Sequence, residues 1–558
     1  MYKNIYQFFK RYDYAFLTVL LGLIVFIIFC PVVNHNFVNI DDNILVYEND
    51  EIKYLNFDNL SNFFSKAYYN LYHPFVFISF ALDYKITDSM NPHVFHATNF
   101  LFHIFNSLLV LLLIFLISEN IFVSFLAAVL FAVHPMHVEP AAWVSERKEV
   151  LCTFFYLLSF IFYVLFKTKE KHKILFYVLA VIMFLCALFS KVMAVTLPLV
   201  LILYDYAFGS AASGNSPKEM SGIFEKKFYF RQITIKDKII FFVIAIVFTV
   251  IAVIAAFHSV DGNFIIKLLK NIHRGLFHYA FYIVKLFFPF KLSILYPLQM
   301  ENGLLYKILV PFFIFFWSWI NIAAFKRSKK IFFGLMFYTV TVFPVLNIAP
   351  FGLENPADRF TYIPYIGLFY CAAAGVSLIN SKKLKTFATA ALCCIIFLFC
   401  LLSKERVGEW KNSITLFTKA IERYPMHAVY LNRAVAYFEA KEYSLAFEDI
   451  HEALRAKRYP FDKIQHTYFL RAKIYHSVGE HDRAIHELRY IFDNYKRVNF
   501  IFWQAAEIYE EQEKYHLAIL EIEKLLKLEP RNAKVKEYRT KLLNKIADGD
   551  YPIPEDVM

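Results

Sequence analysis

Eleven apolar stretches dominate the first 403 residues, near 14–33, 97–117, 121–136, 149–166, 174–190, 192–208, 238–257, 304–325, 331–349, 361–379 and 386–403. Uncharged runs of about 18 or more residues are long enough to cross a hydrocarbon core of ~30 Å. In lipid, only helices and closed barrels satisfy their own backbone groups, so this part of the chain reads as a polytopic bundle of about eleven helices. Composition agrees: 58% of the 558 residues are hydrophobic and mean hydropathy is +0.45. The 65 Phe and 37 Tyr read as lipid contact rather than as a binding surface. All seven Cys lie in apolar stretches, without the spacing of a zinc site, and no structural disulfides are expected.

Charge sets the topology. The first apolar run follows a basic N-terminus, "MYKNIYQFFKRYDY". It is longer than a signal-peptide core and has no small-residue cleavage site, which predicts a retained helix. Lys and Arg gather in 167–173, 209–238, 326–330 and 382–385. Cytoplasmic loops carry these residues. The four loops share the side of the N-terminus if a twelfth candidate, 274–290 with His278 and Lys285, is re-entrant or interfacial rather than a full crossing. The loops 34–96 and 134–148, the 258–303 region, 350–360 and everything after 403 then face outward. Of the net charge of +12, residues 404–558 hold almost none, with 26 Lys/Arg against 25 Asp/Glu. The excess therefore belongs to membrane loops and argues against a nucleic-acid partner.

After residue 403 the pattern changes. Ala434 and Ala446, Ala472 and Ala484, and Ala506 and Ala518 are each twelve apart, and the second members are 38 and then 34 residues apart. Small residues at such places let antiparallel helices pack closely, and a period near 34 is that of tetratricopeptide repeats. The expected organisation is a membrane domain over 1–403 with its external loop at 34–96, and a connecting helix or partial repeat over 404–426. Repeats follow over 427–545, as units 427–460, 465–498 and 499–532, and then a tail over 546–558. A concave helical surface of this kind usually binds a peptide or protein; it can also simply cap the outer face.

Charged residues near a bilayer are costly and call for an account. Four clusters share the outward face: Asp41–Asp42; "HPMHVEPAAWVSERKEVL" with Glu146, Arg147, Lys148 and Glu149; "IHRGLFHYAFYIVKLFFP" with Arg274; and "GLENPADRFTYIPYIG" with Glu354, Asp358, Arg359 and Tyr362. Lys191 lies between two spans, and His96 precedes the second span. Each cluster has a plain structural reading: a solvated loop start or helix N-cap at Asp41–Asp42, interfacial anchors at Arg147 and Lys148, a local Asp358–Arg359 ion pair, and structural rather than metal-ligating histidines. Carboxylates and cations converging on one face of one bundle suit one chemistry better. A carboxylate takes the proton of an acceptor hydroxyl, while cations stabilise charge on a departing lipid phosphate, for which the arginine fork is well shaped.

The segments "HPMHVEPAAWVSERKEVLCTFFYLLSFIFY", "SKVMAVTLPLVLILYDY", "FFPFKLSILYP" and "NPADRFTYIPYIGL", followed by "KNSITLFTKAI" and the repeats, occur in this order. Together they resemble the transmembrane and tetratricopeptide repeat-containing O-mannosyltransferases, especially bacterial relatives. The resemblance implies a GT-C-like fold with an acidic motif in the first external loop, here Asp41–Asp42, and a polyprenyl- or dolichyl-phosphate sugar donor. Glu149 stands where such relatives often carry Asp, which makes the carboxylate one methylene longer.

The expected fold is thus all-α: a GT-C-like membrane bundle of about 11 spans with a C-terminal tetratricopeptide α-solenoid. The expected activity is inverting glycosyl transfer from a polyprenyl-phosphate sugar to a hydroxyl, on a protein acceptor held by the repeats. The expected location is a bacterial inner membrane with the N-terminus cytoplasmic and the repeats periplasmic. Asp41 is expected to be the base. In an extended segment neighbouring side chains point opposite ways, so Asp42 is expected either to orient the loop or to bind a divalent metal. Arg147, Lys148, Arg274, Arg359 and Lys191 are expected to hold the donor phosphate, with Glu146, Glu149, Glu354, Asp358, Tyr362 and His96 in support. A non-enzymatic membrane scaffold displaying the repeats is the main rival, and a lipid-linked sugar transporter is a second.

Overall fold

The computed structural model describes residues 2–66, 68, 72–208, 235–257, 264–297, 304–348, 355–456, 464–495 and 498–548. The chain is all-α and divides into two compact units, Met1–Lys419 and Ala420–Met558.

The first unit contains α1 (Tyr2–Phe29), α2 (Phe57–Ser65), α3 (Pro74–Thr87), α4 (Pro92–Ser118), α5 (Ile121–Val133), α6 (Val138–Ala142), α7 (Arg147–Thr168), α8 (Lys173–Ser190) and α9 (Leu197–Phe208). It continues with α10 (Ile239–Phe257), α11 (Phe264–Phe287), α12 (Leu304–Arg327), α13 (Lys329–Val342), α14 (Tyr365–Ser377) and α15 (Lys382–Glu409). A helix lies over every one of the eleven apolar stretches. Among the described residues six helices are long and apolar enough to cross a membrane: Asp13–Asn34, Pro92–Ser118, Val144–Thr168, Lys173–Ser190, Lys236–Ile254 and Lys382–Glu409. A seventh candidate is the pair Ile121–Val133 and Pro135–Ala142, bent by 59° at Pro135, while Val192–Phe208 and Tyr365–Ser377 are shorter apolar helices. The ambiguous stretch 274–290 falls largely within α11, whose sequence carries Lys267, Lys270, His273, Arg274, His278 and Lys285.

Local sequence explains several helix ends. Asn91 and Asn120 accept backbone N–H bonds at the starts of α4 and α5, as N-caps do. α4 ends on Glu119 with φ 55°. Gly334 and Gly367 let α13 and α14 touch backbone to backbone, because a Cβ on either would collide with the other's carbonyl oxygen; small residues serve this purpose between membrane helices. Phe312, Phe315, Phe316 and Trp319 on α12, and Phe16 and Ile27 on α1, present large apolar side chains outward. Outward-facing apolar side chains are costly against water and natural against lipid.

Charge pairing marks both ends of α7. At one end Lys167 reaches Asp205 (3.2 Å) and Asp237 (2.9 Å), and Lys238 reaches Asp205 (2.6 Å). At the other end lies the cluster built from Glu146 to Glu149. Twenty helical residues separate the two, about 30 Å at 1.5 Å per residue, the thickness of the hydrocarbon layer. A reporter fused after residue 403 is therefore expected outside the cytoplasm. One inserted within 212–230, outside the described residues, is expected inside. Both reporting one side would rule out the eleven-span arrangement.

α16 (Ser413–Arg423) carries the division between units. The second unit then stacks helix pairs: α17 (His427–Glu439) with α18 (Tyr443–Arg455), α19 (Ile464–Ser477) with α20 (His481–Asn494), and α21 (Phe500–Glu511) with α22 (Tyr515–Leu528), followed by α23 (Ala533–Asp548). All six paired alanines are fully buried. Arg433–Asp449 and Arg471–Glu487 repeat one bond between the helices of successive pairs, at 2.7 Å and 2.8 Å.

Candidate active site

The loop after α1 starts where Pro31 interrupts the helix, and residues Cys30–Asn34 tighten into a 3₁₀ turn. Three neighbours then hold the loop. His96 on α4 places Nε2 3.2 Å from the Asn36 carbonyl; a carbonyl only accepts, so that nitrogen carries the proton. Asn36 N donates to the Lys411 carbonyl (3.0 Å) and Asn39 N to Ser413 Oγ (2.9 Å), which ties the loop to the end of α15 and the start of α16. Asp42, fully buried, accepts from Val38 N (2.9 Å), from Ser145 N (2.9 Å) and from Ser145 Oγ.

Asp42 is therefore a fastener. Its oxygens are engaged by three donors, a pattern that suits an ionised carboxylate, although burial pushes its pKa up to about 6. The two acids have different surroundings, but not because the segment is extended. Asp41 and Asp42 lie in a turn leading into a short π-helix, Asn43–Tyr47, rather than in an extended segment. Asp41 is partly buried, and its carboxylate makes no hydrogen bond or salt bridge among the described residues. Burial raises its pKa, and the nearby Lys148 and Arg359 oppose that rise.

Those two cations belong to one chain of charge. Arg359 Nη1 meets Glu139 Oε1 at 2.6 Å, and Arg359 Nε meets Glu146 Oε1 at 3.1 Å. Lys148 Nζ meets the same Glu146 oxygen at 2.9 Å, and Lys191 pairs with Glu149. Trp143 lies under both Arg359 (5.3 Å) and Lys148 (5.9 Å), while Phe360 lies under Arg359 (5.0 Å) and Lys191 (5.4 Å). Exposure separates the signs. Side chains of Arg359, Lys148 and Lys191 are 11%, 12% and 13% exposed, against 0%, 0% and 1% for Glu139, Glu146 and Glu149. The carboxylates sit behind, and each cation keeps a small exposed edge. Among the described residues Glu139 Oε2 and Glu149 Oε2 have no hydrogen-bond partner.

Other expected residues lie elsewhere. Arg147 is fully buried and turned away from this edge. Its guanidinium donates to Asn99, to Ser79 Oγ (2.5 Å), to Asp83 Oδ2 (2.7 Å) and to the Phe95 carbonyl (2.8 Å), so the expectation that it holds a phosphate is not met. Arg274 donates to Asn271 on its own helix (3.1 Å). Asp358 does not pair with Arg359. It accepts from Tyr296 Oη at 2.6 Å and lies 3.5 Å from Arg406, which also binds Glu409. Tyr362 is buried with its Oη 2.7 Å from His103 Nδ1, in the packing between helices rather than at the exposed edge. Glu354 lies outside the described residues. His134 and His137 meet backbone carbonyls of Leu286 and Phe131, a structural role.

Three groups at the site escaped the residue choice. Glu139 sat inside a quoted motif, six residues before Ser145, but carried no assigned part. His73, at the start of α3, is kept neutral by burial and by Lys148 and Lys191, which lower its pKa to about 3. Trp410 stacks on Trp143 with ring centres 5.6 Å apart; its only sequence signal was its position just before "KNSITLFTKAI".

A model described as tetratricopeptide repeat matches residues 501–532. Mouse (Mus musculus) protein O-mannosyl-transferase TMTC1 is 38% identical over 96 residues, 16% of this chain and 10% of the mouse protein. Human (Homo sapiens) protein O-mannosyl-transferase TMTC4 is 32% identical over 112 residues, 18% of this chain and 15% of the human protein. Caenorhabditis elegans protein O-mannosyl-transferase F38B6.6 is 26% identical over 376 residues, 64% of this chain and 49% of the worm protein. The chain thus spans less than half the length of these curated relatives. No solved structure matches it. A helical membrane unit with this charge chain, a tetratricopeptide repeat and these matches make the chain similar to the transmembrane and tetratricopeptide repeat-containing protein O-mannosyl-transferases.

Proposed function

We propose that the protein is a membrane glycosyltransferase that moves a sugar from a polyprenyl-phosphate donor to a hydroxyl of a protein acceptor, at the outer face of the membrane. The observation that carries this reading is Asp41, a carboxylate without a hydrogen-bond or salt-bridge partner among the described residues, beside two cations, Lys148 and Arg359, that each keep a small exposed edge. The relatives named protein O-mannosyl-transferases support it.

In this reading Asp41 removes the acceptor O–H proton as the oxygen bonds to the anomeric carbon. The bond from that carbon to the phosphate oxygen breaks, and Arg359, Lys148 and Lys191 stabilise the departing phosphate. The start of α7 adds its positive dipole end. With Asp41 acting as base and not as nucleophile, the displacement is single and the anomeric centre inverts. A divalent metal does not fit this loop: Asp42 is engaged by three donors, and Asp41 faces two cations. The repeats present the acceptor.

The test uses the full chain in detergent, labelled polyprenyl-phosphate mannose and a peptide rich in Ser and Thr, with chelator present throughout. Transfer with inversion at the anomeric carbon, followed by nuclear magnetic resonance, is the expected result. Donor binding with neither transfer nor hydrolysis, across several sugars, would favour a scaffold that displays the repeats.

A further inference from the structure

Away from the charge chain, the turn between α19 and α20 brings two histidines together. His476 Nδ1 and His481 Nδ1 are 3.2 Å apart, and a Glu511 carboxylate oxygen at the end of α21 lies 3.4 Å from His476 Nε2. One donor atom from each of the three residues falls within 4.8 Å of the others. Gly479, with φ +82°, makes the turn that returns the start of α20 to the end of α19, a conformation that suits glycine.

The arrangement favours one set of proton positions. A carboxylate only accepts, so Glu511 favours the His476 tautomer with its proton on Nε2. His476 Nδ1 is then a bare lone pair aimed at His481 Nδ1. Two nitrogens bound to one tetrahedral metal at ~2.0–2.1 Å stand ~3.3 Å apart, close to the separation present. A carboxylate behind a ligating histidine is also the usual device for setting its tautomer and raising its basicity. Imidazole donors suit zinc, copper and nickel over calcium or magnesium. An open pocket of about 680 Å³ adjoins His481, lined by Gly479, Glu480, Asp482 and Gln512 among others, and gives an ion and its waters access.

We propose that His476 and His481 bind a divalent metal ion of the zinc class through their Nδ1 atoms, with Glu511 holding His476 in the ligating tautomer. Both ligands come from the second repeat pair, so the ion pins the turn between its two helices, while Glu511 reaches the site from the first helix of the third pair through His476. This site is independent of the glycosyltransferase reading.

The experiment titrates Zn²⁺ into the full chain in detergent after chelator treatment, by calorimetry, with thermal unfolding followed in parallel. One ion per chain is expected, and His476→Ala and His481→Ala should each weaken binding at least tenfold. Glu511→Gln should weaken it ~10–100-fold, as loss of an outer-shell partner does. Zinc should raise the unfolding midpoint of the wild type and not that of His481→Ala. His481→Gln, which keeps a polar side chain of similar reach, guards against loss through misfolding, with helical content checked by circular dichroism. No saturable binding, or equal affinity in wild type and His481→Gln, would overturn the site and leave a histidine–histidine hydrogen bond.

Discussion

Asp41→Asn is expected to lower sugar transfer by ~10²–10⁴-fold, the usual contribution of a general base, while donor-lipid binding changes little. Asparagine keeps the size of the side chain and removes its basicity. Binding is spared because the phosphate is assigned to Arg359, Lys148 and Lys191. The pH dependence adds a second readout. A base works only when deprotonated, so transfer falls as pH drops through its pKa. Burial raises the Asp41 pKa despite the two nearby cations, so the acid limb should lie above the range of an exposed carboxylate and should vanish in Asp41→Asn. Asp42→Asn tests a different property. It puts an amide where three donors now converge, and an unsatisfied buried group costs ~1–3 kcal/mol. A stability loss with transfer reduced but insensitive to added metal is expected. Full transfer by the Asp41→Asn, Asp42→Asn double variant would sink the mechanism.

The repeats and the membrane helices were legible in the sequence because their signals are local. Paired alanines twelve residues apart report one helix crossing, and all six proved fully buried. The site was legible only in part, because its chemistry depends on which neighbour each charge meets. Arg147 and Lys148 look equivalent as a dipeptide. At the start of a helix they point about 100° apart, so Lys148 reaches the exposed edge beside Glu146, while Arg147 enters the core toward Asp83, 64 residues earlier. Asp358 and Arg359 separate in the same way, one toward Tyr296 and Arg406 and the other toward Glu139 and Glu146. Sequence adjacency suggested a pair where the fold makes two unrelated contacts. The ties from Asn36 and Asn39 to Lys411 and Ser413 span more than 370 residues. No short-range pattern announces them, yet they link the Asp41 loop to the helix that leads to the repeats.

Arg359 carries the second large expectation, and its structural and catalytic parts have to be separated. Its guanidinium bridges the buried Glu139 and Glu146. Arg359→Ala leaves Glu139 without a counter-charge and should destabilise the membrane unit by ~3–5 kcal/mol, as breaking a buried pair does. Transfer in the folded fraction should fall ~10²–10³-fold, the scale seen when one preorganised stabiliser of transition-state charge is removed. Arg359→Lys keeps the charge and loses the planar fork, so a milder defect in both properties is expected. The deciding variant is Arg359→Ala combined with Glu139→Gln. Removing both members of the pair relieves the stranded charge, and most of the stability should return. If the arginine stabilises the leaving phosphate, neither transfer nor donor binding should return with it. Thermal unfolding, donor-lipid binding and transfer measured on the same preparations make the comparison. Recovery of transfer in step with stability would reduce Arg359 to a structural counter-ion and shift the phosphate to Lys148 and Lys191.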